Sequence, residues 1–190
     1  MSKRLWINIS YLLSAPIFAL LAFSILALQL GDLIASIETI LIAVIFATIL
    51  PSLTVVLLKS NHNVTYELIE RELRPKPLAL ASMSYLIGAM LLHYLDLSFA
   101  AVVLMLCYCF NALALLLLTL RWKVSIHAAG VAGPVTALVL LLNPSYAILY
   151  LCLIPVFLAR LKLRRHSLSE LIAGTSVSII VTFLIVELLL

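Results

Sequence analysis

Arg160-Leu-Lys-Leu-Arg-Arg-His166-Ser-Leu-Ser-Glu170 is a basic, polar island set between apolar runs at 145–159 and 168–190. What flanks it decides the fold. The chain has 190 residues, 65% of them hydrophobic and 11% charged, with a mean hydropathy of +1.26. A soluble domain of this size is about half apolar and about a quarter charged. A composition this apolar cannot supply both a core and a wetted surface, so the chain belongs in a bilayer. Apolar runs at 6–30, 33–58, 78–95, 97–120, 126–142, 145–159 and 168–190 compare with the roughly 20 residues that a spanning helix needs. The fold expected is an all-α, polytopic transmembrane bundle occupying 1–190 as one domain, with about seven spans (six as the alternative) and no soluble domain. Run 6–30 reads as a first span rather than a cleaved signal, because it is long and lacks a small-residue cleavage site.

Charge gives the orientation. With seven alternating spans, residues 1–5, 59–77, 121–125 and 160–167 share one side, and all twelve Lys and Arg residues fall in those segments. The other side carries Asp32, Glu38, Asp96 and Glu187. The positive-inside rule makes the basic side, with the N-terminus, cytoplasmic, and a multi-pass protein of the cell membrane is expected. Cys107, Cys109 and Cys152 lie inside apolar runs and read as buried small hydrophobes, not metal ligands.

The basic side gathers residues that topology alone does not require. His166 and Glu170 stand at i and i+4, on one face of a helix, so the carboxylate can orient the imidazole. Ser167-Leu-Ser-Glu170 is also a capping box, Ser-x-x-Glu, and capping and orienting are expected to ask different directions of the Glu170 side chain. His127 begins an apolar helix beside Ala128, Ala129, Gly130 and Gly133, small residues that let another helix or a lipid tail come close. A helical hairpin separates His127 from His166 and returns the chain to the same side. His93 falls on the opposite side.

These residues carry a resemblance. Arg160-x5-His166-x3-Glu170 resembles the third signature of the type 2 phosphatidic acid phosphatase superfamily, S-R-x5-H-x3-D. Ser125-Ile126-His127 resembles the end of its second, P-S-G-H, and Arg74-Pro75 the end of its first, K-x6-R-P. The order is right, and the resemblance covers about 67–174. Departures are Glu67 at the lysine position, Val124 for Pro, Ile126 for Gly, Ala159 for Ser and Glu170 for Asp. Residues 78–120 also place two spans between the first and second signatures.

What the resemblance implies is a membrane-embedded lipid phosphatase. It would act on an isoprenoid or phosphatidic-acid-like phosphate or diphosphate through a phosphohistidine, with no metal or other cofactor. His166 would attack phosphorus, oriented by Glu170, and His127 would protonate the leaving alcohol and then activate water. Arg160 and Arg74 would clamp the phosphate, with Ser125 and nearby backbone N–H groups adding donors. Lys123 and Arg71 are candidates for the cation missing at Glu67. The partners expected are the lipid substrate and membrane lipids, not nucleic acid. The alternative is a catalytically silent relative that binds or moves anionic lipids, favoured by Glu67 and Ile126. A prenyltransferase would need acidic metal–diphosphate clusters, and Asp32 and Asp96 form none.

Overall fold

The computed structural model of the chain describes residues 3–62 and 71–190, the side chains of 58–62 excepted. Every element among the described residues is helical: α1 (Lys3–Leu12), α2 (Ala15–Ala27), α3 (Leu33–Ala43), α4 (Leu50–His62), α5 (Pro75–Tyr94), α6 (Phe99–Thr119), α7 (Ile126–Leu141), α8 (Leu153–Lys162) and α9 (Leu168–Leu189). The helices pack as one bundle in which α5 lies along α6 and α7 along α9, with α9 also against α6 and α2 against α7. Among the described residues, five helical stretches are long and apolar enough to cross a membrane: Leu33–Leu57, Arg71–Tyr94, Phe99–Thr119, Pro144–Lys162 and Leu168–Leu189. The pair α1–α2 makes a sixth if its two halves form one span, and α7, at 16 residues, is shorter.

Each expected apolar run is helical, but three of them are not uniform. The run 6–30 breaks into α1 and α2, which are bent by 42°. Ser14 stands at the N-cap of α2 and Pro16 in its first turn, and a proline there has no N–H to continue the preceding helix. The run 33–58 passes through a π-helical turn, Val44–Ile49, just before Pro51. The wider turn accommodates a ring that would otherwise collide with the carbonyl one turn back. The third is Pro144–Cys152, a 3₁₀ helix of 9 residues leading into α8. Its steeper rise makes the 19-residue stretch roughly 33 Å long, enough for the hydrocarbon layer.

Polar contacts bring the segment ends together. Arg71 donates from Nη1 to the Arg121 carbonyl (2.8 Å), Arg74 from Nη1 to the Val124 carbonyl (2.8 Å), and the Ser125 N–H to the Glu170 carbonyl (3.1 Å). The starts of α5, α7 and α9 therefore lie at one end of the bundle, as the alternation of apolar and basic segments requires. At the other end the Ser36 hydroxyl donates to the Ala27 carbonyl (2.8 Å). His93, exposed near the last turn of α5, stands roughly 28 Å along that helix from Arg74.

Two hairpins turn on left-handed residues that are not glycine, Asp96 (φ 49°) and Arg164 (φ 53°). After α8 the Arg165 N–H reaches the Arg160 carbonyl (3.0 Å) and the Arg164 N–H the Leu161 carbonyl (3.0 Å). This paired arrangement closes a helix C-terminus and reverses the chain sharply. It sets His166 back beside the turn that holds Arg160.

Candidate active site

Three helix N-termini face one region, each carrying residues singled out from the sequence. Arg74 occupies the N-cap position of α5, fixed there by Pro75 at the first helical position. Ser125 caps α7, its hydroxyl accepting the Ala128 N–H (3.3 Å), and His127 follows in the first turn. Ser167 caps α9 three residues before Glu170. The positive ends of three helix dipoles add to the charge of the side chains there.

A cavity of about 310 Å³ opens among these elements. Its polar walls include Arg74, His127, Arg160 and His166; its apolar walls include Pro51, Val55, Pro77, Leu78, Ala81 and Tyr85. Four of the eight expected site residues thus share one chamber. Arg74 and Arg160 are 2% and 1% exposed. Burial of guanidinium groups in a bundle this apolar is costly unless they are hydrogen-bonded and put to use. Arg74 has the Val124 carbonyl, and Arg160 donates from Nη1 to the Ser10 hydroxyl (2.9 Å).

His166 Nδ1 lies 2.6 Å from Glu170 Oε2. The same oxygen accepts the Ser167 N–H (3.3 Å), and the Ser167 hydroxyl accepts the Glu170 N–H (3.3 Å), so the capping box is complete. The expected conflict between capping and orienting does not arise. His166 immediately precedes the cap residue, so its ring nitrogen and the Ser167 N–H reach one carboxylate oxygen from the same side. Burial, followed by Arg160, Arg74, Lys123 and His127, holds the His166 imidazole far below its ordinary value, down to about 2. The ring is therefore neutral at neutral pH. A neutral ring that gives its Nδ1–H to Glu170 presents the Nε2 lone pair.

The remaining residues take supporting places. Ser125 is fully buried; its N–H is spent on Glu170 and its oxygen on the cap, leaving the hydroxyl proton to give. Gly174 allows this close seating of α9, because a Cβ there would run into the Ser125 carbonyl. Lys123 is half-buried and outside the cavity wall. Its ammonium is pushed below its ordinary value by burial and then by Arg74, with Glu170 opposing and Arg160 and Arg165 adding to the shift. It therefore belongs to the same electrostatic cluster. Arg71 is turned outward, on Glu72 Oε1 (3.3 Å) and the Arg121 carbonyl, and does not line the cavity. Glu67 lies outside the described residues.

The small residues after His127 serve helix packing. A Cβ on Gly130 would strike Ala15 of α2, and the Ala129 carbonyl accepts the Ser178 hydroxyl (2.9 Å). Cys107 and Cys109 are buried free thiols and Cys152 is half-buried. Among the described residues no group of three or more His, Cys, Asp or Glu side chains is arranged to hold a metal.

Sequence reasoning missed the contribution of α1 and its joint with α2. Ser10 (2% exposed) supports Arg160, while Tyr11, Ser14, Ala15 and Pro16 form one wall of the cavity. The available signal was Pro16 within an apolar run, which marks a helix boundary and places Ser10 a few residues before it. The chain matches no family model, no curated protein and no solved structure.

Proposed function

We propose that the protein is an integral membrane phosphatase that hydrolyses a lipid phosphate or diphosphate, isoprenoid or phosphatidic-acid-like, through a phosphohistidine. The observation that carries this reading is the meeting of Arg74, Arg160, His127 and His166 on one cavity whose other walls are apolar. Guanidinium groups suit forked contacts to phosphate oxygens, and the apolar walls suit the start of a lipid chain. The His166–Glu170 pair supports a nucleophile in the required tautomer.

In this mechanism Arg74 and Arg160 hold the phosphoryl oxygens as charge builds on them. The Nε2 lone pair of His166 forms the new N–P bond while the P–O bond to the lipid breaks. His127, protonated once the negative charge of the bound phosphate offsets Arg74 and Arg160, gives that proton to the departing oxygen. It then takes a proton from water, whose oxygen displaces His166 and releases inorganic phosphate. Glu170 stabilises the positive charge that develops on His166 in the first step. Seven crossings, with α7 the short one, and a cytoplasmic basic face in the cell membrane complete the proposal; the positive-inside rule supports the orientation.

Purified protein in detergent is expected to release phosphate from phosphatidic acid or an isoprenyl diphosphate in the presence of a chelator. His166→Ala is expected to abolish release. Unchanged turnover in that variant would overturn the mechanism. A second reading, a silent relative that binds anionic lipids, is favoured by Ile126, whose side chain stands in the cavity wall where the resembled signature has glycine. Lipid binding without vanadate binding would select it, because vanadate mimics pentacoordinate phosphorus.

A further inference from the structure

Among the residues that line the phosphate cavity, only Tyr11 of α1 (48%) and Val56 of α4 (44%) are exposed. The rest of the wall is buried or half-buried, with Arg74, Arg160 and His166 at 7% or less. The wall is therefore broken on the side that α1 and α4 supply.

The packing shows why. The Thr48 hydroxyl in the π-helical turn donates to the Pro16 carbonyl (3.3 Å), and the Ser84 hydroxyl of α5 to the Phe46 carbonyl (2.7 Å). These two bonds pin the turn between the start of α2 and the middle of α5, and they close the base of the gap. From that junction α1, followed back along the chain, and α4, followed forward, both run toward the basic end. The chain bends by 42° between α2 and α1. Among the described residues α1 packs on α8 and α4 on α5, and α1 and α4 share no packed interface. The two helices diverge like the arms of a V, with Tyr11 on one arm and Val56 on the other. The α1 arm is fixed to the phosphate clamp, because Ser10 beside Tyr11 accepts the Arg160 hydrogen bond.

Depth decides what the gap faces. Tyr11 lies about 12 Å along α1 from Lys3, and Val56 about 9 Å along α4 from its end at His62. Both depths fall inside a hydrocarbon layer about 30 Å thick. The neighbours Leu12 and Leu57 are apolar and more exposed still, as suits contact with lipid chains.

We propose that the gap between α1 and α4 is a side opening to the bilayer, and that the hydrocarbon chain of the bound lipid passes through it. Continuity with the cavity supports this occupant. At about 310 Å³ the cavity is near the small end of ligand pockets, roughly 300–1,000 Å³, so a long chain has to leave it. Pro77, Leu78 and Val55 give the first carbons an apolar wall on the way from the guanidinium groups to the rim. A chain that leaves between Tyr11 and Val56 stays in hydrocarbon, and none of its methylenes has to pass through water. The proposal rests on the lipid-phosphate reading for the headgroup only; the opening itself requires only a chain.

Photocrosslinking tests the path. Tyr11 and Val56 are replaced, one at a time in the full chain, by the photoreactive amino acid p-benzoylphenylalanine, which exposed positions accommodate. Ile180, exposed on α9 and absent from the cavity wall, takes the same replacement as the control for ordinary bilayer contact. The probe is a tritiated long-chain alkylphosphonate in lipid nanodiscs, whose phosphate-like head carries no ester to hydrolyse. Labelling at Tyr11 and Val56 is expected to exceed that at Ile180. Excess methylphosphonate, the head without the chain, is expected to bring it down to the Ile180 level. If calorimetry shows methylphosphonate bound, yet labelling is alike at all three positions and insensitive to it, the opening is overturned and the lipid-phosphate reading stands. If methylphosphonate neither binds nor competes, the lipid-phosphate reading fails, and the tritiated alcohol of the same chain decides on the opening. Loss of its labelling at Tyr11 and Val56, but not at Ile180, under excess unlabelled alcohol supports the opening; equal labelling at all three overturns it.

Discussion

At each end of the bundle a hairpin closes on a left-handed residue other than glycine, yet the two ends bury very different side chains. Far from the cavity, the Asp96 N–H bonds the His93 carbonyl and the Leu97 N–H the Leu92 carbonyl. Asp96 and His93 themselves stay exposed. Beside the cavity the same pair of bonds closes α8 around Arg164, but here Arg160 before the turn and His166 after it are both buried. The backbone device is common to both ends, so it cannot be what makes one of them a candidate site. Burial of charge is the difference. An apolar bundle has no need to draw guanidinium groups inward, and the far end shows that its hairpins close without doing so.

The largest expected effects test that contrast directly. Arg160→Met and Arg74→Met are each expected to lower phosphate release on the order of 10²- to 10³-fold, as the loss of a donor aimed at developing charge does. Asp96→Ala and His93→Ala are expected to leave steady-state turnover within about twofold. Equal losses at the two ends would break the comparison.

Glu170 sharpens it, because one carboxylate oxygen serves both the helix cap and the histidine. Glu170→Gln retains an acceptor for Ser167 and His166 but removes the charge. Turnover is expected to fall about tenfold to a hundredfold with little change in the unfolding midpoint. Glu170→Ala loses the cap as well, at about 1 kcal/mol, and its midpoint is expected to drop. Identical turnover in Glu170→Gln and the parent protein would reduce Glu170 to a helix cap.

A third test is spectroscopic. With its imidazole held down to about 2, His166 is expected to keep neutral ¹⁵N shifts at pH 5. A titration midpoint near the ordinary value of 6.5 would remove the argument from burial and neighbouring cations. The sign for stability follows from the same linkage. Between these two values the unfolded chain binds a proton at His166 that the folded protein does not. The contribution of this group to stability therefore falls as pH drops below 6.5 toward 2.

The smallest effects concern the turns. Arg164→Gly relieves a left-handed conformation that costs about 1–2 kcal/mol, offset in part by the greater freedom of glycine in the unfolded chain. A rise of a few degrees in the unfolding midpoint is expected, and a smaller one for Asp96→Gly, because aspartate tolerates that region better. Turnover should respond at Arg164 alone, where the turn sets His166 against Arg160.

Much of this was legible in the residues. Hydropathy is a local property, and a bilayer reads it directly, so the apolar runs and the gathering of Arg74, Ser125–His127 and Arg160–Glu170 at one end followed from the sequence alone. The i, i+4 relation of His166 to Glu170 is likewise local geometry. Tertiary structure decided what depends on which helix faces meet. It brought Ser10 onto Arg160 across 150 residues, turned α1 against α8 at the Pro16 break, and let the bare face of Gly174 seat α9 on the Ser125 carbonyl. Side-chain spacing along one helix says which residues share a face, but only packing decides what that face is turned toward.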